Sequence, residues 1–349
     1  MPDIIGIIFN TPQSASTDSM DVLTQVDAIE RSLNILGYRP VVIPFTKDLP
    51  LFIDRLKRES VQMVFNLCET VDEDATLCGH PAAVLELLGV PFTGSPSMSL
   101  MISTDKMLTK QVVQSSGILT PESVLLTHQS DLNSDALTFP VIVKPQFEDA
   151  SIGIDQNSVF TDPQALEQGI HDFTDRFGSV IVEEYIDGRE FNVSLMGYPS
   201  LAPLPLAEID FCRLPENLHR IVGYRAKWDP TSLEYQNTRR IFPENLSPRL
   251  QKKIENTALL CSRLLRIRDY GRIDMRVDHE ENVYVLEANA NPCLSPDGGF
   301  AAASQKSGLS YDQMVAKIIE SVQHRISPEP MFPDSKALSQ ESSPKNHFL

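Results

Sequence analysis

The first hundred residues alternate short apolar runs with stretches of helical periodicity, and this alternation restricts the fold more than any other feature. The runs IIGIIFN, YRPVVIPF and VQMVFNL predict strands, because each is short, apolar and bounded by turn residues. Between the first two runs, apolar residues recur at helical spacing at Val22, Val26, Ile29 and Leu33. Strands that alternate with helices predict a doubly wound α/β unit with a parallel sheet.

After about residue 104 the pattern changes to strands joined by turns, with helices predicted over about 247–266 and over the run YDQMVAKIIESVQHRI. Residues 207–243 are polar and irregular, which predicts a long lid loop. The tail after about Ser327 is rich in Pro, Ser, Glu and Lys, which predicts disorder. A chain of 349 residues is too long for one ordinary core and predicts two or three domains.

Charge and composition exclude several classes of function. The net charge of -17 opposes nonspecific binding to nucleic acid or anionic lipid, and no nucleic-acid recognition motif is present. The start has Asp3 where a signal peptide needs positive charge, and its apolar run is too short to span a bilayer, so we expect a soluble cytoplasmic protein. Five scattered cysteines without a CxxC pair argue against a disulfide framework or a structural zinc site.

A hairpin near the carboxyl end, GRIDMRVD–HEEN–VYVLEANANP, contains the most informative cluster of polar residues. If HEEN is a four-residue loop, Asp274 lies directly opposite Glu287, and Arg272 lies opposite Asn289. Opposed like charges destabilise a sheet, so the pair predicts a hard divalent cation bound by these oxygens. The alternative is a solvated strand end with shared protons.

Strand alternation makes a further prediction about the second half of this hairpin. Because successive strand side chains point to opposite faces, Val283 and Val285 should share a face with Glu287, Asn289 and Asn291.

Magnesium in proteins commonly holds few carboxylates because phosphate oxygens complete its shell, which directs attention to candidate phosphate ligands. Lys144 ends the apolar run FPVIVKP, and the small-residue loop EDASIGID after it can bring backbone N–H groups close to an anion. Lys106 begins an amphipathic helix, and Lys227 lies within residues 207–243. Each lysine could equally be a surface residue. The GxGxxG and GxxxxGK[ST] fingerprints are both absent.

The segment VIVEEYIDGREF places Glu183 and Glu190 on either side of a turn at the end of an apolar strand. Such a hinge can present backbone groups to an adenine edge and a carboxylate to ribose hydroxyls. Two exposed glutamates at a hairpin are the alternative.

Taken in order, these segments resemble the ATP-grasp superfamily and, within it, the D-alanine:D-alanine ligase branch. The resemblance covers about residues 64–322, and the motifs that carry it are FNLCE, VPFTGS, TDKMLTK, FPVIVKP, the ASIG loop, VEEYIDGREF, YRAKW, GRIDMRVD and LEANANP.

This resemblance implies an α/β three-domain ATP-grasp fold, with ATP gripped between two antiparallel sheets. The expected domains are a doubly wound domain over 1–103, a small α+β lid domain over 104–189, and an antiparallel-sheet domain over 190–326 that includes the lid loop, followed by the tail 327–349. The implied reaction phosphorylates a carboxylate, and an amine then attacks the acyl phosphate to form an amide. Homodimers are common in the family, so a dimer is expected by analogy.

Site residues follow from the resemblance motif by motif. It implies ATP contacts at Lys106 and Lys144 (phosphates), Ser151 and Gly153 (the covering loop), Glu183, Tyr185 and Ile186 (adenine), and Glu190 (ribose). It implies that Lys227 contacts the transferred phosphoryl group and that Arg272 stabilises the tetrahedral intermediate. Two Mg²⁺ ions, for which Mn²⁺ could substitute, are implied at Asp274, Glu287 and Asn289.

The chain departs from this family where the first amino acid would bind. The family carries a glutamate after the first strand that holds the ammonium of the first D-alanine, but the corresponding loop NTPQSASTDSMD has none. The family serine and tyrosine linked to that glutamate correspond to Ala150 and Trp228. After the last metal ligand, Pro-Gly-Met-Thr is replaced by Pro292-Cys293-Leu294-Ser295.

These departures predict a ligase whose acyl substrate is not D-alanine and whose amine donor is an amino acid. Asp18, Asp21 or Glu69 could replace the lost ammonium partner, unless the acyl substrate has no amine there. The other candidate substrate contacts are Trp228, Cys293, Ser295 and Gly298. Three alternatives stay open: a genuine D-alanine:D-alanine ligase, a secondary-metabolite ligase of the mycosporine or peptide type, and a noncatalytic ATP-binding regulator.

Overall fold

The computed structural model describes residues 3–127, 132–133 and 137–326. Its amino-terminal part is a parallel sheet in the order β2–β1–β3, with helices after each strand. The elements are β1 (Ile4–Asn10), α1 (Thr17–Ile35), β2 (Arg39–Phe45), α2 (Leu49–Arg58), β3 (Met63–Asn66), α3 (His80–Leu88), α4 (Ser97–Thr104) and α5 (Lys106–Gln114). The predicted strand–helix alternation is therefore confirmed, and α1 buries the predicted stripe of Val22, Val26, Ile29 and Leu33.

The run VPFTGS contributes a single parallel bridge to this sheet, between Val64 and Phe92. Phe92 is buried beside that bridge. The Gly94 amide that follows donates to the carboxylate of Asp269, so this segment leaves the sheet to contact the carboxyl-terminal part of the chain.

A second sheet, antiparallel and in the order β4–β7–β5–β6, lies in the middle of the chain. Its elements are β4 (Ser123–Leu126), β5 (Val141–Pro145), β6 (Val159–Phe160), α6 (Pro163–Phe177) and β7 (Val180–Glu184). Helix α6 buries Leu166 and Ile170 against Val141, Val143 and Val182 of the sheet. This packing gives the second sheet its own core and leaves its other face free to line a cleft.

A third sheet, also antiparallel, has the order β11–β10–β8–β12–β13, with β9 paired to β8. Its elements are β8 (Arg189–Gly197), β9 (Ala202–Pro203), β10 (Ala207–Asp210), α7 (Tyr224–Trp228), α8 (Leu233–Asn237), β11 (Arg239–Ile241), α9 (Pro248–Leu264), β12 (Asp269–Val277), β13 (Val283–Asn289), α10 (Gly299–Lys306) and α11 (Tyr311–Ile326). Ile254 of α9 packs against Phe191, Ile273 and Val285 in one core.

The prediction of an irregular loop over 207–243 is wrong in part, because the segment contains β10, α7, α8 and β11. The two helices have five residues each, which is too short for periodicity to reveal and too short for a helix that is stable alone. Tertiary contacts hold them: the Tyr224 amide donates to the carbonyl of Ile154, at 2.8 Å, in the loop that follows β5.

The three sheets follow one another along the chain in the predicted order, whereas the domain boundaries stay a prediction. The tail 327–349 lies outside the described residues. Across the described ranges, no helix combines the length and apolar character that crossing a membrane requires.

Candidate active site

A cleft of about 1050 Å³ lies between the second and third sheets and extends to the start of α1. Most of the predicted site residues line it: Asp18, Glu69, Lys144, Ser151, Glu183, Tyr185, Ile186, Glu190, Lys227, Trp228, Arg272, Asp274, Glu287, Asn289, Cys293, Ser295 and Gly298. Lys106 and Gly153 are not among the lining residues. Because Lys227 and Trp228 belong to the polar segment 207–243, this segment lines the same cleft as the two sheets.

The β12–β13 hairpin has the predicted pairing at the site, with Asp274 opposite Glu287 and Arg272 opposite Asn289. The loop is nevertheless one residue shorter than expected, because Val277 pairs with Val283 and the Asp278 amide bonds to the Asn282 carbonyl. A β-bulge at Leu286 compensates for the missing residue, since two residues of β13 then oppose one of β12. The predicted register is therefore correct at the site although the predicted loop is wrong.

The same bulge overturns the predicted alternation in β13. Val283 and Val285 face the core together with Ala288 and Ala290, whereas Leu286 and Glu287 line the cleft. An extra residue moves every later side chain to the opposite face, because the strand period is two. The polar row is thus separated from the valines that precede it.

Asp274 is buried and surrounded by donors. Arg272 donates to it through Nε and Nη2, both at 2.7 Å, and the amides of Asn192 and Asn289 donate at 2.8 and 3.3 Å. Such a bidentate pair fixes the guanidinium in one orientation over the cleft.

The carboxylate of Glu287, by contrast, forms neither a hydrogen bond nor an ion pair with any described residue, although it lines the cleft. Burial opposes its ionisation, but Lys106, Lys227, Lys144 and Arg272 outweigh burial and lower the pKa of Glu287 to about 2. An ionised carboxylate without a direct partner fits a cation, and two carboxylates with one amide suit Mg²⁺, which adds phosphate oxygens. Among the described residues, no group of three or more His, Cys, Asp or Glu could hold a metal ion by itself.

Glu183 occupies the centre of a buried cluster of charges. Lys110 and Lys144 approach its two carboxylate oxygens at 2.7 and 2.5 Å, and Glu183 is 2% exposed. Burial raises the pKa of this carboxyl, but the two lysines outweigh that effect and lower it. Lys110 was not predicted, although it lies one helical turn after Lys106 in α5, on the same face of the helix.

The other two predicted phosphate ligands, Lys106 and Lys227, have different surroundings. Lys106 is 4% exposed and donates to the carbonyl of Glu148, with Asp149 at 3.8 Å, so it contacts the small-residue loop rather than the open cleft. Lys227 lines the cleft, and burial lowers its pKa although Glu287 opposes that change.

The small-residue loop has two residues, Ala150 and Ser151, in the left-handed region at φ 55° and 62°. The Ser151 hydroxyl donates to the carbonyl of Val222, at 2.7 Å, which ties the loop to the segment before α7. Gly153 is required by packing, because a Cβ there would lie 2.4 Å from Phe177 and 2.8 Å from Pro145.

At the hinge after β7, the Tyr185 amide donates to Pro140 and the Ile186 carbonyl accepts from Arg276. Within the described part of the chain, the Tyr185 carbonyl and the Ile186 amide have no recorded partner. Glu190 forms an ion pair with Arg276 at 2.8 Å. Sequence reasoning did not single out Arg276, although its position two residues after Asp274 on β12 places it on the same face.

The end of the cleft near α1 is acidic. Asp21 accepts from Ser295 at 2.8 Å, from Cys293 at 3.1 Å and from Gln25 at 3.2 Å. Gln25 also donates to one oxygen of Glu69 at 3.0 Å. Burial, with a contribution from Asp21, raises the pKa of Glu69 to about 7.

Two hydrogen bonds connect the 207–243 segment to the rest of this end. The Tyr224 hydroxyl donates to Asp18 at 2.6 Å, and the Trp228 indole donates to the carbonyl of Ala150 at 3.0 Å. Gly298 caps the amino end of α10 without a side-chain bond. The geometry therefore combines a nucleotide-sized cleft, a partnerless carboxylate and a separate acidic end.

Comparison with known proteins identifies the family. Residues 112–320, more than half of the chain, match the family model described as D-ala D-ala ligase C-terminus. The chain belongs to the D-Ala–D-Ala ligase family of ATP-grasp enzymes. It is an ATP-dependent ligase that forms carbon–nitrogen bonds, and it uses ATP, a divalent metal ion, a carboxylate and an amine. The predicted family, fold class and enzyme class are confirmed.

Individual relatives cover most of the chain. The protein is 30% identical over 306 residues to "Uncharacterized protein y4sG" of Sinorhizobium fredii, which covers 86% of this chain and 87% of that one. It is 29% identical over 303 residues to the D-alanine–D-alanine ligase of Carboxydothermus hydrogenoformans, covering 84% and 90%. The structure of the D-alanine–D-alanine ligase from Bacillus anthracis complexed with ATP has a TM-score of 0.75 at 23% identity, covering 93% and 99%.

Proposed function

We propose that this ligase activates its carboxylate substrate as an acyl phosphate, uses an amino acid as the amine donor, and takes an acyl substrate other than D-alanine. The observation that carries the proposal is the contrast between the two ends of the cleft. One end has the lysines, carboxylates and hinge expected for ATP. The other end is formed by Asp21 of α1, Glu69 after β3, and Cys293 and Ser295 between β13 and α10. The segment after β1, where the family has its glutamate, has none.

The nucleotide half is assigned by chemistry and position. The Ile186 amide and the Tyr185 carbonyl have the donor and acceptor that an adenine edge requires, and Glu190 has one free oxygen for ribose. Lys144 and the loop with Ser151 lie where phosphates would follow, with Lys106 supporting the loop from behind. In this assignment Glu183 orients Lys144 rather than contacting adenine, because both of its oxygens are engaged.

Asp274, Glu287 and Asn289 would hold Mg²⁺, which when bound would neutralise charge on the transferred phosphoryl group. Arg272 is held by Asp274, so its guanidinium is already oriented for the oxyanion that forms when the amine attacks. Lys227 faces Glu287 across the cleft and can hold the transferred phosphoryl oxygens. The short helix α7 places Lys227 in the lining of the cleft.

Among the acidic residues, Glu69 and Asp18 each keep one carboxylate oxygen for a cationic group of the acyl substrate. Asp18 accepts the Tyr224 hydroxyl through its other oxygen, whereas both oxygens of Asp21 accept hydrogen bonds. Glu69 engages one oxygen with Gln25, which leaves the second to the cleft. Trp228 also lines the cleft and donates to the carbonyl of Ala150, so the two residues that correspond to the family tyrosine and serine contact each other.

Product formation decides between the acyl substrates. Purified protein with Mg²⁺ and ATP is incubated with D-alanine alone or with pools of L- and D-amino acids, and ADP, phosphate and products are measured. We expect turnover in mixed pools and none with D-alanine alone. Efficient turnover with D-alanine alone would refute the proposed acyl pocket. If no pool released ADP, the two substrates could not both be amino acids of these pools.

A D-alanine–D-alanine ligase is the second candidate, because several relatives have that name. The noncatalytic regulator is disfavoured, since nucleotide binding alone would not need Arg272 fixed by two hydrogen bonds beside a partnerless Glu287. The mycosporine-type and peptide-type substrates, the number of metal ions, the use of Mn²⁺ and the homodimer stay predictions.

The pKa of Glu69 gives a pH-dependent prediction. The folded state holds the Glu69 proton more tightly than the unfolded chain does, so wild-type stability falls as pH rises from about 4.5 to about 7. Glu69→Gln has no such titration, and its stability relative to wild type should therefore increase by on the order of 2 kcal/mol between pH 4.5 and 8. Urea unfolding at several pH values measures this. If the difference in stability between Glu69→Gln and wild type did not change with pH, the raised pKa of Glu69 would be contradicted.

A further inference from the structure

Arg276 of β12 connects its own strand to three other segments around the proposed nucleotide site. It is 3% exposed on β12, directly opposite Glu190 of β8. Its Nη1 donates to the Ile186 carbonyl at 2.9 Å, and its Nη2 donates to the Arg220 carbonyl in the lid segment. The guanidinium thus joins the hinge, the ribose side of the cleft and the lid.

The contact with Glu190 involves only one of its two oxygens. Arg276 donates to Oε2 through Nε at 3.1 Å and through Nη2 at 2.8 Å. No partner among the described residues is recorded for Oε1, while Glu190 lines the cleft. An ionised carboxylate only accepts hydrogen bonds, so this free oxygen is suited to a hydroxyl donor.

Aromatic rings hold the guanidinium in place. Its centre lies 5.5 Å from the ring centroids of Tyr185 and Phe211, which come from the hinge and from the lid. Tyr185 also exchanges hydrogen bonds with Arg220, at 3.2 and 3.4 Å. An apolar side chain could fill this space but could not donate to the carboxylate and the two carbonyls, of which that of Ile186 is buried.

We propose that Arg276 is a positioning residue for the nucleotide: it fixes Glu190 so that Oε1 accepts a ribose hydroxyl, and it links this contact to lid closure through Arg220. The inference rests on the proposed nucleotide site. A carboxylate held in one rotamer before ATP arrives loses less conformational freedom on binding, which favours nucleotides that carry the hydroxyl. Arg276 acts through Glu190 and does not touch the reacting phosphates.

Ribose discrimination tests this role. Affinities for ATP, 2′-deoxy-ATP and 3′-deoxy-ATP are measured by calorimetry with Mg²⁺ for wild type, Arg276→Met, Arg276→Lys and Glu190→Gln. Wild type should prefer ATP over at least one deoxynucleotide by about tenfold or more, the effect of a hydrogen bond to a charged group. The preference should fall to about twofold or less in Arg276→Met and Glu190→Gln, and combining the two changes should cause no further loss.

Arg189→Met is the matched control. Arg189 is adjacent to Glu190 on β8 and forms a bidentate pair with Glu208 at 2.7 and 2.6 Å, outside the cleft lining. Its removal should leave ribose discrimination unchanged. If Arg276→Met fails to fold, Arg276→Lys, which keeps the charge with fewer donors, should show an intermediate preference.

The outcomes separate the inference from the proposed function. Folded Arg276 variants that bind all three nucleotides more weakly by one common factor would show a purely structural role and overturn the inference. Wild-type protein that binds ATP without ribose discrimination would overturn it as well, while leaving the nucleotide site intact. Wild-type protein that does not bind ATP would overturn the proposed nucleotide site itself, and the inference with it.

Discussion

Glu287→Gln should lower kcat/KM by about a thousandfold or more, equivalent to roughly 4 kcal/mol of transition-state stabilisation, while the protein stays folded. The reason is that the Glu287 carboxylate lies opposite Asp274 and forms no hydrogen bond or ion pair with a described residue. Glutamine preserves the shape but removes the negative charge, and a neutral amide is a poor ligand for a hard divalent ion. Initial rates of ADP release over a range of Mg²⁺ concentrations measure the effect.

Two further observations make this prediction specific. Because Glu287 provides charge for the ion, the variant should need a higher Mg²⁺ concentration for half-maximal rate than wild type. Glu280→Gln is the control, since Glu280 is exposed in the turn of the same hairpin and lies outside the cleft lining. A Glu287→Gln enzyme with full turnover at the wild-type Mg²⁺ requirement would exclude Glu287 as a metal ligand.

Glu183→Gln should destabilise the fold by about 3–5 kcal/mol, the cost of removing one partner from a buried ion pair. Lys110 and Lys144 would then lie together in the interior without a counter-charge. Burial already lowers the pKa of Lys110 in the wild type, and the loss of Glu183 should lower it further. The variant should therefore recover part of its stability as pH rises, because the folded state then releases lysine protons before the unfolded chain does.

Urea unfolding of Glu183→Gln and Glu184→Gln at pH 7 and pH 9 measures this difference. Glu184 is the next residue of β7, is only partly buried and forms no ion pair with a described residue, so its replacement should cost about 0.5 kcal/mol or less. Equal destabilisation by the two substitutions would show that the buried cluster has no special importance for stability.

Local patterns predicted the regular elements well. The carboxyl-terminal helix α11 covers the residues that its periodicity indicated, and the strand–helix alternation of the first hundred residues predicted the parallel sheet. The pairing of Asp274 with Glu287 was also predicted, although from a loop one residue too long, an error that the bulge at Leu286 cancels. These features depend on neighbours close in sequence, whose spacing is visible in the sequence itself.

Predictions failed where distant segments determine the conformation. The bulge at Leu286 cannot be seen in the alternation of β13, and it reverses the face of the two valines before it. Helices α7 and α8 are too short to have a periodic signal. The loop that follows β5 holds α7, and Arg225 of α7 pairs with Glu234 of α8 at 3.5 Å. Lys110 was missed because its partner Glu183 lies on another element, and a buried lysine in a helix has no local signature.

The sequence by itself determined most of the element types, the fold class, the ATP-grasp motifs and the absence of the family glutamate. Only the tertiary structure decided which charges became partners: it engaged Glu183 with two lysines, held Glu190 through Arg276, and left the Glu287 carboxylate without a partner among the described residues. The physical reason is that propensity and periodicity act over one or two turns, whereas burial and charge pairing depend on which segments meet when the sheets close around the cleft.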